Sequence, residues 1–136
     1  MMRKVLALAA AGALAAGLAI TALAASGGAA TEIDTAHTHA LLAQKSTTLS
    51  MARMHLHHVL NCLVGPKGAG FDAAVGVPCK GQGNGAIPDS AHDKAAQGKL
   101  QTALAQVRVG LKAPALAATQ QEASKVAATL QGAAMR

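Results

Sequence analysis

The chain has almost no aromatic side chains: Phe71 is the only one, and tryptophan and tyrosine are absent. This argues against a nucleic-acid binder that stacks bases on aromatic rings. The zinc-protease motif H-E-x-x-H, the haem-attachment motif C-x-x-C-H and the Gly-Lys-Ser/Thr ending of a phosphate-binding loop are missing too. The serines lie in no nucleophile-elbow pattern. The length of 136 residues predicts one domain at most, and no enzyme activity is predicted.

Charge is also scarce near the N-terminus, where Arg3 and Lys4 precede an uncharged apolar run over residues 5–23. The run ends in Ala22-Leu23-Ala24, an A-x-A pattern, and this order is typical of a secretory signal peptide. We expect residues 1–24 to be removed and the mature protein to reside in the periplasm. A retained N-terminal anchor is the alternative, because the apolar run is nearly long enough to span a bilayer.

Cysteine is limited to Cys62 and Cys79, which lie 17 positions apart across a glycine-rich segment. An even cysteine count in an oxidising compartment predicts a disulfide. Closing a loop of this size stabilises a fold by about 3 kcal/mol in the chain-entropy model. The alternative is that Cys62 is a thiolate metal ligand beside His58.

Glycine and proline are concentrated in residues 65–89, which hold seven of the 14 glycines and three of the four prolines. Such a segment forms a loop and not a helix. The preceding stretch contains neither residue type, opens with the capping-box pattern Thr31-Glu32-Ile33-Asp34, and repeats leucine at helical spacing. It predicts one long helix over about 32–64, preceded by a disordered segment at 25–30.

Two shorter helices are predicted after the loop, over about 91–110 and 114–132. Ser90-Ala91-His92-Asp93 gives the first of them a capping-box pattern, Gly110 ends it, and Pro114 suits the first turn of the next. The expected fold is a small all-α bundle at 31–136, with one long and two shorter helices and a disulfide-clamped loop.

Histidine carries the functional signal, because five of the six histidines fall on the first predicted helix. At about 100° per residue, Met51, His55 and His58 share one stripe, so these neighbours can reach one ion. Met54, His57 and His58 form a second grouping, although His57 points away from His55. The segment therefore predicts a metal site centred on His55 and His58 with Met51 or Met54.

A second, weaker site is expected at His37 and His39, aided by Asp34 or Glu32. In a continuous helix His37 lies on the same face as His55 but about 27 Å away, so the two cannot share an ion. His92 opens the second predicted helix and could approach either end of the first.

The donor types favour copper, with zinc or nickel as alternatives. Imidazole suits all three metals, whereas a thioether selects Cu(I). No pattern of three histidines with an open position is visible, as catalytic zinc would require. Affinity should fall as the pH drops through the histidine range. A non-metal interpretation also stands, in which the methionines fill the core and the loop binds a periplasmic protein partner.

The segment Met51 to Cys62 and the triplet His37-Thr38-His39, on exported helices rich in alanine and leucine, resemble the small periplasmic metal-binding helical-bundle proteins of bacteria. The resemblance implies a role in metal storage, delivery or tolerance. The chain departs from them in having only His92 on its later helices, which favours one or two sites. A homodimer is left open, and nucleic acid and stable membrane insertion after signal cleavage are not expected.

Overall fold

The structure, a computed structural model, describes residues 23–135, with side chains from residue 28 onward. Within this range it is helical and contains no strand. The helices are α1 (Leu23–Lys45), α2 (Leu49–Val64), α3 (Ala86–Asp89), α4 (Lys94–Lys112) and α5 (Leu116–Ala134), with a 3₁₀ turn at Ala73–Val75. The predicted all-α bundle is confirmed.

The four long helices form the bundle, and short connections join sequence neighbours. Helix α5 packs against both α1 and α4, and α2 also packs against both of them. The core is built from leucine and valine separated by many alanines, which lets the helix backbones approach closely. Its fully buried members include Ala36, Ala40, Ala43, Leu56, Leu63, Leu100, Ala103, Val107, Val126 and Leu130.

The helix predicted over 32–64 is instead two helices, α1 and α2, separated by the turn at residues 46–48. Thr48 adopts an extended conformation and its hydroxyl accepts a hydrogen bond from the Met51 amide, at 3.2 Å. Ser46 Oγ donates to the carbonyl of Leu42 at 2.8 Å. Side chains of this type cap helices and offer the backbone an alternative to helical continuation. The chain therefore folds back as a helical hairpin.

The start of α1 also differs from the expectation. Helix α1 begins at Leu23, so it includes residues 25–30, which were predicted to be disordered. Thr31 consequently lies inside α1 and does not begin it. Further along α1, the side chains of Glu32 and Ile33 are buried.

Helices α4 and α5 begin later and end later than predicted. Asp93, and not Ser90, caps α4, and its carboxylate accepts from the Ala96 amide at 2.9 Å. Gly110 does not end α4 but lies buried within it. A Cβ at this position would come 2.6 Å from Leu56 Cδ1 on α2, so only glycine fits there without a shift. The glycine thus serves close helix packing, and α4 ends at Lys112.

The glycine-rich loop is closed by the predicted disulfide between Cys62 and Cys79, whose Cα atoms are 5.3 Å apart. Both cysteines are buried. Phe71 and Ile87, on the segment between α2 and α4, pack against the core. Since Cys62 lies in this disulfide, it is not a free thiolate, and that alternative is excluded.

Residues 1–22, which carry most of the predicted signal peptide, lie outside the described residues. Its cleavage therefore stays a prediction. In the part of the chain that is described, no helix is both long and apolar enough to cross a bilayer.

Candidate metal centre

Three histidine side chains from α1 and α2 meet on one side of the helical hairpin. His39 Nδ1 lies 3.2 Å from His55 Nδ1 and 3.2 Å from His58 Nδ1. One ring nitrogen from each of the three residues lies within 4.8 Å of the others. His39, His55 and His58 are called the three-histidine cluster below.

The hairpin explains how residues far apart in sequence come together. His55 and His58 are neighbours on α2 because a spacing of three places them on one face, with ring centroids 5.7 Å apart. The turn before Thr48 returns α2 alongside α1, which brings His39 against that face. The structure thus groups His39 with His55 and His58, whereas the sequence prediction, which assumed an unbroken helix, grouped it with His37 in a separate site.

A hydrogen bond from His58 to the loop sets the orientation of its ring. His58 Nε2 lies 2.6 Å from the carbonyl oxygen of Val75, at the end of the 3₁₀ turn. A carbonyl can only accept, so Nε2 carries the proton, and Nδ1 of the neutral ring keeps its lone pair. Metal-binding histidines in proteins commonly donate the second ring N–H in this way. The lone pair of His58 is directed at His39.

Burial keeps two of the rings neutral. The pKa of His39 is lowered from 6.5 to about 4, mainly by this burial and in addition by the neighbouring His58 and His55 rings. Burial also lowers the pKa of His55, and the His58 ring adds to this effect. Only neutral imidazole binds metal, so these rings are in the competent form at neutral pH.

The spacing of the nitrogens suits a metal ion. His39 Nδ1 has either one proton or one lone pair, so it cannot form good hydrogen bonds to both neighbours at once. Metal–nitrogen bonds of about 2.0–2.1 Å in tetrahedral geometry place ligand nitrogens roughly 3.3 Å apart. The observed 3.2 Å separations are close to this value. The three-histidine cluster could hold a metal ion.

The other predicted ligands lie around this cluster or away from it. Met51 and Met54, 45% and 39% exposed, lie one turn before His55 and His58 on α2. His57 Nδ1 is buried and has no hydrogen-bond partner among the described residues. His37 is half-buried on α1, and exposed His92 lies between α3 and α4.

The acidic residues expected to assist His37 do not belong to the cluster. Glu32 is buried and its Oε1 accepts from the Gly85 amide at 2.8 Å. Asp34 is exposed on α1. Among the histidine, cysteine, aspartate and glutamate side chains of the described residues, the group spaced to hold an ion consists of His39, His55 and His58.

Comparison of the chain with protein-family models, with curated proteins and with solved structures finds no match. The resemblance to periplasmic metal-binding proteins therefore stays a prediction from the sequence. The chemistry of the chain has to be inferred from the three-histidine cluster and its surroundings.

Proposed function

We propose that the chain is a periplasmic metal-binding protein that holds a copper ion on the three-histidine cluster and serves in copper storage, delivery or tolerance. One observation carries the proposal: three ring nitrogens from two helices converge, with His39 Nδ1 3.2 Å from each of its partners. The Val75 carbonyl supports it by fixing the ring nitrogen that His58 offers.

The thioethers beside the cluster favour copper over zinc or nickel. Met51 precedes His55 by four residues, and Met54 precedes His58 by four. At about 100° per residue, Met51 projects between the directions of His55 and His58, one turn away, where its sulfur can serve as a fourth donor. Imidazole binds Cu(II), and the added thioether selects Cu(I). A mixed site of this kind retains copper in both oxidation states.

A titration tests the proposal. Purified, disulfide-bonded protein is titrated with Cu(II), Zn(II) and Ni(II), and with Cu(I) in competition with a chromophoric Cu(I) chelator. We expect one ion per chain, with copper bound most tightly. The variant His39→Ala/His58→Ala should lose this binding, whereas His37→Ala/His92→Ala, with the same number of histidines removed, should keep it.

A comparison of Cu(I) with Zn(II) binding tests the role of the Met51 thioether. Met51→Leu should weaken Cu(I) binding and leave Zn(II) binding nearly unchanged, because zinc does not need the thioether. Binding weaker than the millimolar range for every ion would contradict the metal-binding function. The interpretation as a non-metal interaction module would then take its place.

Export is tested independently of the metal. The full chain is produced in a bacterium and recovered from a periplasmic extract for intact-mass measurement. We expect a mass that lacks residues 1–24 and contains one disulfide. Full-length protein held in the membrane fraction would instead support the retained anchor.

A further inference from the structure

The disulfide-closed loop contacts the three-histidine cluster through the hydrogen bond from His58 Nε2 to the Val75 carbonyl. The backbone of the next residue, Gly76, lies close to the same imidazole ring. Gly76 has φ +106°, and a Cβ added there would lie 2.8 Å from His58 Nε2. The position of this turn therefore controls both the tautomer and the direction of the His58 ring.

Asn61, one turn after His57 on α2, holds the turn in place. Its Nδ2 donates to the carbonyls of Asp72 and Gly76 at 2.7 and 2.8 Å, and its Oδ1 accepts from the Asp72 amide at 3.0 Å. The side chain is buried and these bonds bracket the 3₁₀ turn at Ala73–Val75. Asn61 thus fixes the carbonyl that orients His58.

The disulfide secures the same loop at its far end. Cys62 directly follows Asn61, and its bond to Cys79 encloses the whole turn. A glycine-rich segment of this length loses much conformational entropy when it is ordered, and the cross-link lowers that cost. Without the cross-link, the Val75 carbonyl would lie beside His58 for a smaller fraction of the time.

We infer that the Cys62–Cys79 disulfide sets the ion affinity of the three-histidine cluster, with Asn61 and the Val75 carbonyl as the positioning groups. Reduction by a dithiol transfers two electrons and two protons to the disulfide. The chain gains two thiols, the dithiol becomes its own disulfide, and the loop is released. The bound ion is then held more weakly. This inference rests on the proposed function of the cluster.

Zn(II) is the probe, because it has no redox chemistry that could confuse the comparison. Its Kd is measured by competition with a chromophoric chelator for the oxidised wild type, for Cys62→Ser/Cys79→Ser and for Asn61→Ala, whose disulfide is intact. Lys80→Ala, an exposed change on the same loop, is the matched control. We expect both loop-releasing variants to bind roughly 10–100-fold more weakly, as for other losses around a metal ligand, and the control to match the wild type.

A second readout separates positioning from general loss of structure. Long-range 15N–1H spectra of the imidazole rings should show the His58 proton on Nε2 in the wild type, and a tautomer mixture in both loop-releasing variants at unchanged helix content. Equal Zn(II) Kd values in the serine variant and the wild type would overturn the inference while leaving the proposed function intact. Absence of binding of Zn(II), Ni(II) and copper by the oxidised wild type would overturn both. If the serine variant does not fold, Asn61→Ala decides, and an unchanged Kd there overturns the inference.

Discussion

His39 Nδ1 and His58 Nδ1 lie 3.2 Å apart although 19 positions separate the two residues in the sequence. The contact joins α1 to α2 across the hairpin, so the candidate metal site depends on the tertiary structure and not on one helix alone. A metal bound there would bridge both helices and stabilise the folded state, because the unfolded chain does not hold the rings together.

The first prediction is that His39 and His58 act on one ion. Each single change to alanine should weaken Cu(II) or Zn(II) binding by more than about 100-fold, since loss of an outer partner alone costs roughly 10–100-fold. The double variant should lose far less than the product of the two single effects, because the second change acts on a site already lost. Combining His37→Ala with His58→Ala is the control, and it should add nothing to the His58 effect. Independent effects of His39 and His58 would place them in different sites.

A buried glycine in α4 allows a second prediction. A Cβ at Gly110 would lie 2.6 Å from Leu56 Cδ1 and 3.1 Å from Glu122 Cβ, and Leu56 is fully buried and cannot swing away. Gly110→Ala should therefore lower the free energy of unfolding by about 1–3 kcal/mol, as overpacking does. Gly98→Ala, on the same helix with open space around it, should raise that free energy by up to about 1 kcal/mol. Denaturant unfolding measures both, and a stabilising Gly110→Ala would contradict the packing argument.

Local spacing explains what could be predicted from the sequence. His55 and His58 are three residues apart, so their proximity needs only that the segment be helical, and the disulfide needs only an oxidising compartment and an even cysteine count. Helix α2 and the bundle class follow from the leucine periodicity in the same way.

The position of His39 could not be predicted, because it depends on where the chain reverses. The turn at residues 46–48 contains neither glycine nor proline, the usual signals for a break, and the apolar periodicity continues through it. Thr48 as a helix cap was the available signal. The contribution of Val75 is a backbone carbonyl, which any residue supplies, so no side-chain pattern could reveal it.

The third prediction concerns the stability that the disulfide gives the metal-free protein. Cys62→Ser/Cys79→Ser should lower the free energy of unfolding by about 3 kcal/mol, the chain-entropy value for a loop of this size. Urea unfolding with a chelator present measures this without contribution from an ion. Ser124→Ala, an exposed change on α5, is the control and should have little effect. A loss below about 1 kcal/mol would show that the loop is held by Asn61 and its packing instead.

The fourth prediction concerns pH and the buried carboxyl group of Glu32 on α1. Its Oε1 accepts from the Gly85 amide at 2.8 Å, and its buried Oε2 has no donor among the described residues. The pKa of Glu32 is raised from 4.5 to about 7, mainly by burial; the Gly85 hydrogen bond opposes the rise and the nearby Asp89 carboxyl group adds to it. The folded state therefore binds this proton more tightly than the unfolded state does.

A raised folded-state pKa of Glu32 contributes stability that is complete below about pH 4.5 and is lost as the pH rises through about 7. Glu32→Gln keeps an uncharged side chain that can accept from Gly85 and donate to Asp89, so this loss should disappear. Relative to the wild type, the variant should gain free energy of unfolding between about pH 5 and pH 8 in the metal-free protein. Asp34→Asn, an exposed change two residues along α1, should show no such gain. Parallel pH profiles for Glu32→Gln and the wild type would mean that Glu32 is ionised in the folded protein throughout this range, with its second oxygen stabilised by water.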